Sequence, residues 1–168
     1  MTYQRQPGND DEDVLWRQRA QQALAQALNM PLSAGGLIRL HSRYKYALMA
    51  YSPHIYKSSG RLLSQAGTLS PAGLAETAAV WQQALLTAFS QPVTRANMTN
   101  ALMHMQGYFK RLLSPDEKQR MRAAIEVYRT GTGSAEAVKH LLLTTARRYQ
   151  IDYLSEQTIL QPVTPNQR

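Results

Sequence analysis

Three times this chain places a serine directly before a proline at the head of an apolar-periodic run: Ser52-Pro53, Ser70-Pro71 and Ser114-Pro115. A serine there accepts an orphan backbone N–H of the first helical turn, and a proline at the first helical position gives up only an N–H that has no partner anyway. The third step continues into Asp116-Glu117, which completes a capping box between Ser114 and Glu117. Ser33 and Ser134 offer further N-caps, and Gly67 and Gly131 offer stops. No strand-like alternation runs longer than four residues and no internal repeat is present. The punctuation therefore predicts an all-α fold, a single helical domain of about seven or eight helices with short loops. The expected helices are 10–29, 33–51, 53–65, 71–90, 94–113, 115–130, 134–149 and 152–160. The expected organisation is a disordered acidic N-terminal segment at 1–13, a domain at 14–160 and a polar tail at 161–168.

The charges are unevenly spread. Between Asp13 and Asp116 there is one carboxylate, Glu76, against ten cations: Arg17, Arg19, Arg39, Arg43, Lys45, Lys57, Arg61, Arg95, Lys110 and Arg111. An imbalance of this kind predicts a positive surface that attracts polyanions, and nucleic acid is the obvious one. A basic protein without such a ligand is the other reading, and composition does not separate the two. The chain has no cysteine, which removes disulfides, thiolate nucleophiles and any iron–sulfur cluster held by cysteine in this chain. No apolar run approaches the ~18 residues of a transmembrane helix. Asn9-Asp10-Asp11-Glu12-Asp13 stands where a charged-then-apolar leader would be, so a cytoplasmic location is expected.

Two helix faces carry candidate function. In the run 33–51, Leu37, Leu40, Tyr44, Ala47, Leu48 and Tyr51 share an apolar face at ~100° per residue. Arg39 and Arg43 lie opposite, and His41 and Lys45 border the apolar side one turn apart. Lys45 either snorkels from that border or points with His41 into a half-buried anion site. Tyr51, His54, Tyr56, Lys57 and Arg61 follow closely, and cations interleaved with aromatics suit phosphate and bases. In the run 94–113, Met98, Ala101, Leu102, Met105, Tyr108, Phe109 and Leu112 share one face. Asn97, Asn100, His104, Gly107 and Arg111 form a second, polar stripe. Those side chains either bond a phosphate, ribose or base edge or bond a neighbouring helix. Gly107 costs helix stability, which predicts close approach by another helix or a ligand.

Catalytic signatures are lacking. His41, His54, His104 and His140 show no HExxH spacing, and no GxSxG, P-loop or GxGxxG occurs. Neither a metal site nor a cofactor is expected, and enzymatic activity is the less favoured reading.

The run His41-Ser-Arg-Tyr-Lys45-Tyr-Ala-Leu-Met-Ala-Tyr-Ser52, followed by Tyr56-Lys57 and Gly60, resembles the bacterial YbgA family. So does Asn100-Ala-Leu-Met-His104-Met-Gln-Gly107-Tyr-Phe-Lys110, followed by Glu117-Lys118, Tyr128-Arg129-x-Gly131 and Tyr153-Leu-x-x-Gln157. The resemblance spans about residues 35–160. This domain occurs alone and also fused behind a thiouracil-desulfidase-type domain, in enzymes that remove sulfur from 4-thiouridine in tRNA. The resemblance implies an RNA-binding, tRNA-directed role and no desulfidase chemistry in this chain. Where the family continues through a Pro-Leu-rich segment, this chain reads Thr132-Gly133-Ser134-Ala135-Glu136-Ala137-Val138, so an altered loop is expected there.

Three readings follow. The first is a cytoplasmic tRNA-binding module in which Arg43, Lys45, Lys57, Arg61, Lys110 and Arg111 contact phosphates while His41, Asn100 and His104 line a selective pocket near Gly107. The second is a small enzyme or small-molecule binder using a His41/Lys45/Asn100/His104 pocket. The third is an adaptor that lends RNA affinity to a separate desulfidase-type chain.

Overall fold

The computed structural model describes residues 9–29 and 32–162. Among them the regular structure is helical, with no strand. The helices are α1 (Asn9–Ala27), α2 (Ala34–Arg43), α3 (Lys45–Tyr51), α4 (Pro53–Leu63), α5 (Pro71–Ala88), α6 (Arg95–Gln106), α7 (Pro115–Arg129), α8 (Ala135–Arg148) and α9 (Asp152–Ser155). Short 3₁₀ turns follow at Ala66–Thr68, Gly107–Phe109 and Thr158–Leu160.

The serine caps form as the sequence predicts. Ser33, Ser52, Ser70, Ser114 and Ser134 each accept the backbone N–H three residues on, at 3.0 to 3.3 Å. At Ser114 the box closes, because Glu117 Oε1 accepts the Ser114 N–H at 3.3 Å. Gly131 takes φ +85° just past α7, the left-handed turn that only glycine adopts without strain. The Ser114→Ala variant loses the cap and is expected to cost about 1 kcal/mol, read as a fall in Tm of roughly 2–4 °C by thermal unfolding.

The centre of the domain is α3. Tyr46, Ala47, Leu48, Met49, Ala50 and Tyr51 are all buried, so this helix is enclosed on every side. It packs most extensively on α6 and also on α4 and α5, while α7 and α8 pack beside α6 and α9 beside α8. Trp81, Leu85 and Phe89 of the α5 segment and Met98, Leu102, Met105 and Phe109 around α6 fill the fully buried core. From α1, Trp16 stacks on Tyr51 with ring centroids 4.9 Å apart and donates its indole N–H to the Thr158 carbonyl at 3.1 Å. Asp13 accepts from the Tyr51 hydroxyl and from Arg17 Nε.

Several expectations are corrected. The run 33–51 is two helices, broken at Tyr44. The break serves packing: α2 keeps one face outward while α3 turns wholly into the core. Buried Gln157 bridges it, accepting the Tyr46 N–H at 3.4 Å and donating to the Ser42 carbonyl at 2.8 Å. The run 94–113 stops being α-helical at Gly107 and tightens into a 3₁₀ turn that buries Phe109. The acidic residues 10–13 lie inside α1, which begins at Asn9. Residues 1–8 of the expected N-terminal segment and 163–168 of the expected tail lie outside the described residues.

Candidate anion-binding cleft

The break at Tyr44 places His41 and Lys45 on the wall of a cleft of about 530 Å³, lined by Ile38, His41, Ser42, Lys45, Tyr56, Lys57, Gly60, Arg61, Ser64 and Tyr153. Thus α2, α4 and α9 contribute to one site together with the first residue of α3. Three of the lining residues are permanent cations and none is a carboxylate. Lys57 and Arg61 stand one turn apart and exposed on α4, a like-charge i,i+4 pair that slightly destabilises a helix.

His41 is fixed from behind. The indole N–H of fully buried Trp81 donates to His41 Nδ1 at 3.1 Å. That acceptor role requires the neutral tautomer with its proton on Nε2. Burial, and then the Lys45 charge, hold the imidazole below its ordinary value. The unfolded chain, with its histidine near 6.5, therefore binds more protons than the native state as pH falls below that value. The His41 contribution to stability is complete above 6.5 and is lost as pH falls toward the lower native value. In His41→Asn a side-chain carbonyl replaces Nδ1 as acceptor without a titrating group. Tm measured over about pH 5–8 is expected to slope more steeply at the acid end for the parent than for this variant.

Lys45 settles between the two sequence readings. It is half-buried, with Nζ 5.5 Å from the Tyr46 ring centroid and 6.0 Å from that of Tyr153. Desolvation works against its charge, but the neighbouring hydroxyls of Tyr153, Tyr56 and Tyr108 outweigh it and hold the ammonium above its ordinary value. Tyr46, Tyr108 and Tyr153 form one ring cluster, with centroids 5.6 to 6.3 Å apart. Lys45 thus keeps its positive charge against an aromatic wall.

The structure brings together His41, Lys45, Lys57 and Arg61. It does not add Asn100 and His104 to that cleft: both are exposed on α6. Arg43, Lys110 and Arg111 are likewise exposed and outside the cleft wall. A Cβ built on Gly107 meets nothing within 4 Å, so no helix approaches closely there. The altered loop after α7 folds back on its own helix, with Gly133 N–H and Thr132 Oγ1 both bonding the Val127 carbonyl at 3.1 Å. None of its residues lines the cleft. Sequence reasoning missed Trp81 as the partner of His41. It also missed Tyr153 as a wall residue, although Tyr153 opens the last of the family-like blocks.

An all-helical domain with this cleft is the class that the structure defines. Residues 45–164 match a family described as a protein of unknown function, DUF1722. The chain is also 31% identical over 121 residues to an Escherichia coli (strain K12) protein called "Uncharacterized protein YbgA", covering 72% of this chain and 70% of that one. The chain belongs to the YbgA family. No solved structure matches it. Lys45, Lys57, Gly60, Arg61 and Tyr153 fall within the span matched by the family, and His41 and Ser42 precede it. No helix among the described residues is long and apolar enough to cross a membrane.

Proposed function

We propose that this domain binds RNA and that the cleft between α2, α4 and α9 holds phosphate. The observation that carries this reading is a cleft wall with Lys45, Lys57 and Arg61 and no carboxylate. Three cations without a counter-ion among the described residues suit an anionic ligand, and aromatic rings beside them suit one that carries bases. The scarcity of acid between Asp13 and Asp116 extends the same field beyond the cleft. Arg43, Lys110 and Arg111 are then peripheral phosphate contacts. That the RNA is tRNA rests on the family resemblance, as does a link to thiolated nucleosides. On this reading the domain lends RNA affinity to chemistry done by a separate chain, a desulfidase-type protein being the candidate, because a chain without cysteine has none to hold an iron–sulfur cluster.

The test is titration of the purified chain with total tRNA at two salt concentrations, with an equal-length DNA duplex as competitor. Tight binding that weakens with salt and prefers tRNA is expected. Equal, weak binding to both polyanions would overturn the reading.

A further inference from the structure

We propose that the cleft accepts one unstacked nucleotide of the RNA, base and phosphate together, and does not merely track a continuous backbone. This rests on the RNA-binding reading above. Its first support is size and lining. About 530 Å³ in a cleft open to solvent is within the size range of small-ligand sites, and a phosphate that only touches a surface needs no such volume. The wall is apolar and aromatic through Ile38, Tyr56 and Tyr153, with Lys57 and Arg61 exposed on α4. Such a site matches a ligand with a flat ring at one end and a negative charge at the other. Among the described residues neither Lys57 nor Arg61 makes an ion pair.

The second support is the polar lining. Ser42 Oγ donates to the Arg39 carbonyl at 2.6 Å, and Ser64 Oγ donates to the Arg61 carbonyl at 2.7 Å. With their protons committed, both hydroxyls are left with acceptor capacity. His41, with Nδ1 occupied by Trp81, carries its proton on Nε2 and is a donor. Donors and acceptors lining one cleft suit a base edge, whereas a phosphate would call only for donors.

The third support is Gly60. It sits inside α4 between Lys57 and Arg61 and lines the cleft. Glycine inside a helix lowers its stability relative to alanine. A Cβ built at this position meets nothing within 4 Å, so no packing contact within the described protein requires its absence. Space kept open on the cleft side of a helix, between two exposed cations, is what close approach of a ligand to the backbone requires.

The experiment compares a fully paired RNA stem with the same stem carrying a single-nucleotide bulge, using uridine 5′-monophosphate and inorganic phosphate as competitors. The bulged stem is expected to bind about tenfold more tightly, and the mononucleotide to displace it at a concentration where phosphate does not. Gly60→Ala is expected to raise Tm by about 2–4 °C while cutting affinity for the bulged stem about tenfold. The rise in Tm separates lost space from lost folding. Equal, salt-dependent binding of paired and bulged stems would overturn the nucleotide pocket and leave RNA binding standing. No salt-dependent binding of either stem would overturn both.

Discussion

Gln157→Ala is expected to destabilise the domain by about 3 kcal/mol, seen as a fall in Tm of roughly 10 °C. Gln157 is 1% exposed and its side chain spans the break between α2 and α3. Its amide donates to the Ser42 carbonyl at 2.8 Å and to the Tyr153 carbonyl at 3.1 Å. Its oxygen accepts the N–H of buried Tyr46. The break takes the Ser42 carbonyl and the Tyr46 N–H out of a continuous helical ladder, and Tyr46 is buried. Truncation strands them and opens a void, and each stranded buried group costs about 1–3 kcal/mol. Gln157→Leu separates the two causes. It fills most of the volume but makes no hydrogen bonds, so it is expected to be nearly as unstable as the alanine variant. Recovery of parental stability in Gln157→Leu would mean that volume alone matters and that the bridge is incidental. The bridge also reaches the site, since Ser42 and Tyr153 both line the cleft.

The second large effect is on binding. Replacing Lys45, Lys57 and Arg61 together by glutamine is expected to weaken RNA binding on the order of a hundredfold at low salt, at about 1 kcal/mol per lost contact. The slope of log affinity against log salt is expected to fall by about 2–3, near one per phosphate contact. Each glutamine keeps a polar, uncharged side chain, and Lys57 and Arg61 are exposed, so parental Tm is the control for folding. A second control replaces exposed Arg120, Arg122 and Arg147, which lower the net charge equally from α7 and α8. If that set flattened the slope as much as the cleft set, binding would follow overall charge and the cleft would have no special part.

Much of the fold is legible in the sequence because its helix signals are local. A serine cap, a proline at the first helical position and a positive-φ glycine act within one turn, and those at Ser52, Ser70, Ser114 and Gly131 hold. The break at Tyr44 escapes because it has no proline or glycine. Its trace is indirect: from Tyr44 to Tyr51 apolar residues cover more than one helix face, which marks a fully enclosed helix and not a surface one. The end of α6 does carry a glycine, Gly107, but the tight turn there goes with the burial of Phe109, which helical spacing does not show.

For the cleft wall, spacing along one or two adjacent helices groups His41, Lys45, Lys57 and Arg61. It does not reveal Trp81, forty positions from its partner His41, or Gln157, bound to Ser42 from 115 positions away. Such contacts depend on packing order, which helical periodicity does not encode. Asn100 and His104 show the converse. Their polar stripe suggests a pocket shared with His41 and Lys45, whereas on α6 the two residues are exposed and stand outside the cleft wall.

The most direct test of the central claim is where bound RNA touches the protein. tRNA containing 4-thiouridine, mixed with the intact chain and irradiated with long-wave ultraviolet light, yields cross-linked peptides that mass spectrometry assigns to residues. The account predicts cross-links concentrated in α2, α4 and α9, at residues 38–64 and around Tyr153. Efficient cross-links confined to α7 and α8, with the cleft segments unmarked, would contradict it.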